Sequence, residues 1–340
     1  MAKRWLNSMR KKWLAKSHGF AKPGVALVVV VFNMPEQAKK TLYSLTSEYQ
    51  QGVTEDDYDV VIMENQSPNT LPSDYVKSLP ANFSYHLRDE AYPTPVFAAN
   101  RGLELCQRSH AALLIDGARM VSPGLIKNLL RAHRLQHNSV VSVPGYHLGS
   151  QLQQRSVEQG YGAAAESQLL ESIDWPRNGY GLYDVACFSG SCAAGLFRSH
   201  SESNCLSLPR HLWTQLQGLD ERFNHMGGGL VNLDLYRRAC ELPNVAHVLL
   251  VGEGTFHQYH AGVTTGGIDR KARESLIVQF QKQYEELRGK PFESPQTNPI
   301  FLGEIPPQLA RFIRISSQEA VPKSEQVTSG QHLRPVPHRI

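Results

Sequence analysis

Residues 24 to about 290 alternate short apolar runs with segments of helical periodicity. The run from Val25 to Phe32 is apolar at every position, which predicts a central strand covered on both faces. Further strands and helices are expected in alternation at Glu36–Tyr49, Tyr58–Met63, Phe83–Leu87, Val96–Arg108, Ala111–Ile115, Pro123–Leu135 and Val140–Val143. Strands that alternate with helices are typical of βαβ units, so the pattern predicts a mostly parallel α/β sheet flanked by helices.

The alternation stops after Tyr146, and residues 147–182 read as an insertion with one helix at about 155–173. Strands are expected again near 185–189, 204–208 and 246–251, with helices at about 209–217 and 230–241. Pro, Ser, Gln and Thr accumulate from about 291. The sequence therefore predicts a basic segment at 1–23, a domain at 24–290, and an extension at 291–340 that is mostly disordered from Ser316.

Polar clusters follow three of the predicted strands directly, at Asn33, at Glu64–Asn69 and at Asp116–Arg119. Right-handed crossovers place the carboxyl ends of parallel strands along one edge of a sheet. Ligands of open α/β sheets bind at that edge, so these three turns are the places where chemistry is expected.

Charge and cysteine usage exclude several classes of function. The net charge is +4, yet residues 1–24 hold seven Lys or Arg and no acid, which leaves 28 basic against 31 acidic residues elsewhere. A nearly neutral body argues against nucleic acid as a partner. Five cysteines without a CxxC pair favour a reducing compartment, and no apolar run reaches the roughly 18 residues of a membrane span. The expected location is cytoplasmic.

The N-terminal segment has two alternative interpretations. On a helix, Trp5, Leu6, Met9 and Trp13 share one face, although Lys12 lies at its margin and Lys16 within it. Such a helix would make a peripheral contact with an anionic membrane face through residues 3–16. The alternative is a disordered basic leader.

Six segments occur in an order and spacing that resembles family 2 glycosyltransferases of the GT-A fold. The segments are Val25–Glu36, Val60–Ser67, Ala98–Gly102, Leu113–Gly124, Leu208–Phe223 and Gly227–Arg238. The first three resemble the opening strand and its turn, the strand that contacts the donor's base, and the loop and helix before the metal-binding strand. The last three resemble the strand with the DxD motif, the acceptor-side helix with its "GGFDERF"-type turn, and the "ED-x-DL-x-x-R" segment. The resemblance implies a Rossmann-like, GT-A type sheet and an enzyme that uses a nucleotide-sugar donor.

Two positions depart from the family's pattern. The DxD position reads Asp116-Gly-Ala118, and the Glu-Asp pair is replaced by Val231-Asn232. A rearranged but active site and a chain that has lost catalysis both remain open.

Sugar transfer develops negative charge on the leaving diphosphate, which Mg²⁺ or Mn²⁺, Arg or backbone amides can stabilise. Asp116 is the expected metal ligand, with a turn-capping aspartate as the alternative. Arg119 either offsets phosphate charge or is a surface residue. The resemblance places a late histidine in the metal site, and the segment from His257 to His260 fits it. In a strand these two side chains point to opposite faces, so one ligand is expected, His260. The alternative is a pair of structural histidines.

Other residues are expected to contact the donor or the acceptor. Glu64 and Asn65 would contact the base or ribose, or form a turn. Asn33 with Glu36 would contact the donor or form a capping box, and Asn100 with Arg101 has a similar pair of interpretations. Gly228 and Gly229 complete the donor set. Asp234 is one candidate for the catalytic base, and its alternative role is an ion pair with Arg238. Asp220 and Glu221 are the alternative acids. Asn232 can orient an acceptor but cannot accept its proton, and it lies about 200° from Asp234 on a helix.

The sequence therefore predicts a glycosyltransferase that moves a sugar from a nucleotide-diphosphate donor to a glycan, lipid-linked or other hydroxyl acceptor, with inversion. Two rivals remain: a nucleotide-sugar-binding protein without turnover, and a nucleotidyltransferase. The second lacks a Gly-rich phosphate loop, since Asn33-Met-Pro35 follows the first strand.

Overall fold

The structure is a computed structural model that describes residues 21–89, 94–260, 262 and 270–320. The predicted helix at 3–16 and the last part of the predicted tail, 321–340, lie outside these residues. Within the described ranges, every helix is too short or too polar to cross a bilayer.

Twelve strands and ten helices are found in the described residues. The strands are β1 Lys22–Val31, β2 Tyr58–Asn65, β3 Phe83–Arg88, β4 Arg108–Leu114, β5 Arg119–Val121, β6 Ser139–Ser142, β7 Gly145–Leu148, β8 Ala186–Phe188, β9 Cys205–Pro209, β10 Ala246–Leu250, β11 Thr255–His257 and β12 Ile300–Leu302. The helices are α1 Pro35–Tyr43, α2 Ser73–Lys77, α3 Val96–Leu105, α4 Leu125–Leu135, α5 Gln153–Ser156, α6 Ala163–Ser172, α7 Arg210–Leu216, α8 Val231–Cys240, α9 Arg270–Arg288 and α10 Ala310–Ala320.

Eight strands form the main sheet in the order β12-β10-β6-β9-β4-β1-β2-β3. All neighbours are parallel except β9, which runs antiparallel between β4 and β6. The predicted central strand is correct, since Val25–Val31 is buried throughout. Apolar side chains on its two faces belong to two separate cores, one under α3, α7 and α8 and the other under α1 and α4. The predicted fold class, a mostly parallel sheet flanked by helices, is therefore confirmed.

A second, four-stranded sheet has the order β5-β11-β7-β8 and was not predicted as a separate layer. In it, β11 lies between β5 and β7, so that His257 pairs with Arg119 on one side and with His147 on the other. This small sheet brings the end of the chain's eleventh strand beside the turn that follows β4.

The insertion departs from the prediction of one helix at 155–173. Two helices, α5 and α6, stand there instead, separated by a turn at Gly160. Gly160 has a φ of 89°, in the left-handed region that ends a helix and that glycine adopts at little cost. The first of these helices supplies Gln153, which contacts the candidate site.

Regular structure continues past residue 290, the predicted end of the domain, and past Ser316, the predicted start of the tail. Strand β12 extends the main sheet by pairing with β10, and α10 continues to Ala320. Leu309 and Phe312 are buried against the aromatic core around Tyr146. A composition rich in Pro, Ser and Gln concealed these elements because a three-residue edge strand needs little apolar sequence.

Candidate active site

The carboxyl ends of β1, β2 and β4 meet at one edge of the main sheet, as predicted. Asp116 lies two residues beyond the end of β4, in a short turn before β5. The Ala118 N–H donates a hydrogen bond of 3.0 Å to Asp116 Oδ1, which fixes the carboxylate in the turn and leaves Oδ2 to face the neighbouring sheet.

Two histidines converge on Oδ2 of Asp116. His257 Nε2 lies 3.1 Å from it and His260 Nε2 lies 3.8 Å from it. The two Nε2 atoms are 3.0 Å apart. The expectation that one histidine would face the site is therefore wrong. Strand β11 ends at His257, so the chain leaves the extended conformation and returns His260 to the same side.

Gln153 holds His257 in one orientation. Its side-chain N–H donates to the His257 carbonyl at 2.9 Å, which places the amide oxygen against His257 Nδ1 at 2.6 Å. His257 Nδ1 is then the protonated nitrogen, and the lone pair of Nε2 points at Asp116. A metal-ligating histidine is held in this way by its second nitrogen.

The electrostatics of the cluster favour a neutral histidine beside a carboxylate. Burial, and next the Arg119 charge, lower the pKa of His257 to about 4. Burial opposes ionisation of Asp116, but His260, His257 and Arg119 outweigh it and hold the pKa of this carboxyl below its usual range. Near neutral pH the cluster therefore offers an anionic oxygen and a basic imidazole nitrogen, the protonation states that bind a metal.

The three side chains fit one divalent cation. Ligand atoms that are neighbours in an octahedral site with distances of about 2.1 Å are about 3.0 Å apart. The separations in the cluster are 3.0, 3.1 and 3.8 Å, so small movements would let all three atoms reach one ion. Three protein ligands leave positions open for other oxygens, as in metal sites that bind substrate.

Arg119 is a buried cation whose donors are largely unused. Its side chain is 10% exposed, and its Nε lies 3.5 Å from Asp116 Oδ2, a distance that indicates ion pairing without a hydrogen bond. Nε and Nη1 are fully enclosed, and no described residue accepts a hydrogen bond from them. A guanidinium with unmet donors beside a metal-type cluster is suited to phosphate oxygens.

Glu64 and Asn65, at the end of β2, differ in whether their side-chain oxygens already accept hydrogen bonds. Glu64 is fully buried; the Leu71 N–H donates to it at 3.1 Å and the Tyr85 hydroxyl at 2.6 Å. Glu64 therefore stabilises its own loop, as in a turn-forming pair, and its predicted donor contact stays a prediction. Asn65 is 2% exposed, and its Oδ1 accepts no hydrogen bond from the described residues. The amide is thus the better candidate for contacting a ligand.

The predicted capping box at Asn33 and Glu36 is absent. Helix α1 has Met34 as its N-cap, with Pro35 in the first turn and no side-chain capping bond. Glu36 is exposed and pairs with Lys39 at 2.7 Å. Asn33 has a φ of 54° and accepts a hydrogen bond from the Asn69 side chain at 2.9 Å, which joins the turns after β1 and β2.

Asn100 and Arg101 both have other partners. The Asn100 side chain accepts from the Leu219 N–H at 2.8 Å and donates to the Leu219 carbonyl at 3.0 Å. It therefore fixes the turn before residue 220. Arg101 is exposed and pairs with Glu104 at 2.9 Å. Neither side chain is presented to the metal-type cluster by these contacts.

Asp234 is not placed to act as a base. It is 1% exposed, and Arg288 Nε and Arg238 Nε donate to its two oxygens at 2.5 and 2.8 Å. The alternative interpretation, a pair with Arg238 one helical turn away, is the one that the structure contains. The helical offset places Asn232 and Asp234 on different sides of α8, as expected.

The two alternative acids also have partners. Asp220 accepts from Arg222 at 2.6 Å and pairs with Arg288 at 2.9 Å, and these contacts, opposed by burial, lower its pKa. Glu221 is exposed and accepts from the Asn100 side chain at 3.2 Å. The cation pairs of Asp220 compete with a proton for its oxygens.

Asn232 faces an acid that the sequence analysis did not consider. Its side-chain N–H group donates to Glu202 Oε2 at 2.7 Å and to Asn204 Oδ1 at 3.3 Å. Glu202 lies in the loop just before β9 and is half-buried. A carboxylate thus stands beside the position at which the family resemblance expects one.

The glycines before α8 are required by the backbone. Gly228 has a φ of 85°, and a Cβ there would lie 2.8 Å from Val231 Cγ1. Gly229 has a φ of 55°, and a Cβ would lie 3.3 Å from Phe280. The backbone conformation and the close neighbours disfavour a side chain at both positions, so the presence of glycine there is explained without a ligand.

Comparison with known proteins gives weak similarities. No family model matches the chain, and no curated protein matches it. Among solved structures, S. aureus TarS 1–349 in complex with UDP-GlcNAc has a TM-score of 0.49 at 10% identity, over 77% of this chain and 66% of that one. The mannosyltransferase PcManGT from Pyrobaculum calidifontis, in complex with GDP-Man and Mn²⁺, has a TM-score of 0.45 at 13% identity, over 92% and 75%. Similarity at this level does not establish a family, so function has to be inferred from the site.

Proposed function

We propose that the protein is a metal-assisted glycosyltransferase that takes a sugar from a nucleotide-diphosphate donor. The observation that carries the proposal is the cluster of Asp116, His257 and His260 beside the buried guanidinium of Arg119, whose donors are unmet. A diphosphate matches both parts, because its oxygens can complete a metal site and accept from Arg119 at once.

The ligand set also narrows the metal. Asp116, His257 and His260 would hold it, and a cation bound there would offset the negative charge that develops on the leaving diphosphate. Two imidazoles favour Mn²⁺ over Mg²⁺, since Mg²⁺ prefers oxygen ligands. In this proposal, histidine nitrogen takes the place of the second carboxylate of the usual DxD pattern, which is absent at Ala118.

The chain's own residues would bind and orient the donor. Arg119 would donate to a phosphate oxygen in a site of low dielectric, where such a bond is strong. Asn65, with its unpartnered oxygen at the neighbouring strand end, would accept an N–H of the base. Membership of family 2 and inversion at the anomeric carbon belong to the same proposal. A glycan, lipid-linked or other hydroxyl acceptor would lie towards α8.

Calorimetric titration with UDP and GDP, with and without Mn²⁺, tests the donor site. The variants are Asp116→Ala, His257→Ala and Arg119→Gln. We expect nucleotide binding that Mn²⁺ strengthens at least tenfold, and loss of that increment in Asp116→Ala and His257→Ala. Arg119→Gln should weaken binding with and without the metal, since its contact is to phosphate.

Matched controls are Asp74→Ala and Arg177→Gln, which alter an exposed acid and an exposed cation whose ion pairs are with residues three positions away. Both should bind as the wild type does. Absence of nucleotide binding in the wild type under every condition would contradict the proposal. Binding that Asp116→Ala leaves unchanged would contradict the metal site and leave Arg119 as the phosphate contact.

A nucleotide-sugar-binding protein without turnover is the second candidate. Asn232 at the position of the expected base favours it, because an amide cannot take a proton from an acceptor hydroxyl. Nucleotide binding without hydrolysis or transfer of any sugar would support this second candidate.

A further inference from the structure

We propose that Glu202 is the general base of the transfer reaction and that Asn232 is the residue that positions it. This inference rests on the proposed function, and it supplies the carboxylate that the sequence of α8 lacks. Glu202 would accept the proton of the acceptor hydroxyl while that oxygen attacks the anomeric carbon.

The first argument is the contact between the two side chains. Asn232 Nδ2 donates to Glu202 Oε2 at 2.7 Å and to Asn204 Oδ1 at 3.3 Å. The amide nitrogen has two hydrogens, so both are directed at oxygen acceptors and the amide is fixed. Glu202 Oε2 is thereby held, whereas Oε1 has no hydrogen bond to any described residue. One oxygen anchors the group and the other is free to accept a proton.

The second argument is the position of Glu202 in the sheet. Strand β9 runs antiparallel to β4, with Cys205 paired to Leu114. Paired Cα atoms are about 5 Å apart. Asp116 comes two residues after Leu114, and Glu202 comes three residues before Cys205, so both leave neighbouring strands at the same edge. The loop that carries Glu202 therefore lies at the same edge of the sheet as the turn that carries Asp116.

The third argument is the difference between Glu202 and the other acids of this region. Asp234 is paired with Arg238 and Arg288, and Asp220 with Arg222 and Arg288. No ion pair to Glu202 occurs among the described residues. Guanidinium groups therefore occupy the oxygens of Asp234 and Asp220, whereas Oε1 of Glu202 accepts no hydrogen bond from any described residue. Glu202 thus has the free lone pairs that a base requires.

The step balances as a substitution at carbon. The bond between the anomeric carbon and the phosphate oxygen breaks, and the electron pair leaves with the nucleoside diphosphate. The bond from the acceptor oxygen to that carbon forms, and the proton of the hydroxyl passes to Glu202. The carboxyl group later releases this proton to solvent.

The experiment compares Glu202→Gln with a double variant, Glu202→Gln/Asn232→Asp, in which the amide and the carboxylate exchange positions. Donor hydrolysis is measured with UDP-GlcNAc, UDP-glucose, UDP-galactose and GDP-mannose in Mn²⁺, with water as the acceptor. UDP binding is measured by calorimetry on the same samples. Glu171→Gln, an exposed acid on α6, is the matched control.

We expect Glu202→Gln to bind UDP within about twofold of the wild type and to lose about 10²- to 10⁴-fold in hydrolysis rate, the range for a general base. The double variant should recover at least tenfold of that loss, because it restores a carboxylate bonded to an amide. A purely structural role of Glu202 would also be restored by this exchange, but it would be recognised because Glu202→Gln would then lose UDP binding in parallel with hydrolysis.

Two results would overturn the proposal while the donor site stands. In the first, Glu202→Gln hydrolyses the donor as fast as the wild type. In the second, the wild type binds nucleotides but hydrolyses none of the four donors. This result counts against the proposal because a base that takes a proton from an acceptor hydroxyl would also take one from water. A wild type that binds no nucleotide would instead refute the proposed function on which this inference depends.

Discussion

Glu166 is a buried acid that should make the stability of the protein depend on pH. It lies on α6 of the insertion, is 2% exposed, and accepts from the Tyr259 N–H at 2.5 Å and the Tyr161 hydroxyl at 3.2 Å. Burial raises its pKa to about 7, although the Tyr259 N–H, Lys40 and Tyr161 act in the opposite direction. Because Tyr259 precedes His260, this bond ties the insertion to the metal-type cluster.

The sign of the effect follows from proton affinity. The folded state binds the Glu166 proton more tightly than the unfolded state, whose pKa is near 4.5. Stability from this group is therefore complete below about pH 4.5 and is lost as pH rises towards about 7. Each unit of difference corresponds to 1.36 kcal/mol, so the loss between pH 5 and pH 8 is about 2.5 kcal/mol.

The substitution Glu166→Gln removes the titration and keeps an oxygen that accepts both hydrogen bonds. Urea unfolding of both proteins from pH 5 to pH 8 should give similar stability at pH 5, where the wild-type carboxyl is protonated. At pH 8 the variant should be more stable by about 2.5 kcal/mol. Other titrating groups are common to both proteins, so they cancel in the difference.

Glu171→Gln on the same helix serves as the control, since Glu171 is exposed. The difference in free energy of unfolding between Glu171→Gln and the wild type should not change with pH. The reasoning about Glu166 is refuted if the Glu166→Gln difference is also constant across this range, or if the variant becomes the less stable protein as pH rises.

Three further substitutions test other parts of the site. Arg119→Gln should leave the ligand-free protein as stable or more stable, and should remove most of the rise in Tm that UDP with Mn²⁺ causes; an undiminished rise would contradict the phosphate role. Asp234→Asn should cost about 3–5 kcal/mol in urea unfolding, because Arg238 and Arg288 lose their charged partner, and a cost below 1 kcal/mol would contradict this. Asn100→Ala should cost about 1–3 kcal/mol by the same measurement, since it leaves buried backbone groups unpaired; a neutral effect would refute that.

The sequence predicted the parts of the fold that follow from local patterns. A strand covered on both faces must be apolar at every position, so the strand that begins at Val25 can be predicted from the sequence alone. Asp116 was found because parallel strands end at a common edge and the residue after a buried strand is exposed to that edge. These inferences need only the composition and order of neighbouring residues.

The rest of the site depends on contacts that no local pattern encodes. His257 was set aside in favour of His260 because the end of a three-residue strand decides whether two histidines share a side, and periodicity does not mark that end. Glu202 was missed because it meets Asn232 across 30 positions of sequence, through a strand that enters the sheet antiparallel. A search for acids in the loop before β9 would have found it only after the order of strands was known.

Arg119 differs from Arg108, another buried cation, in how its donors are used. Arg108 is 1% exposed and donates five hydrogen bonds, to Asp59 and to three backbone carbonyls. Arg119 is nearly as buried, yet two of its nitrogens have no acceptor among the described residues. Leaving a buried charge without hydrogen bonds destabilises the fold, so a structural role does not explain this side chain. A polyanionic ligand would supply the missing acceptors. The two unpartnered nitrogens of Arg119 would therefore account both for a loss of stability in the ligand-free protein and for the proposed binding of phosphate.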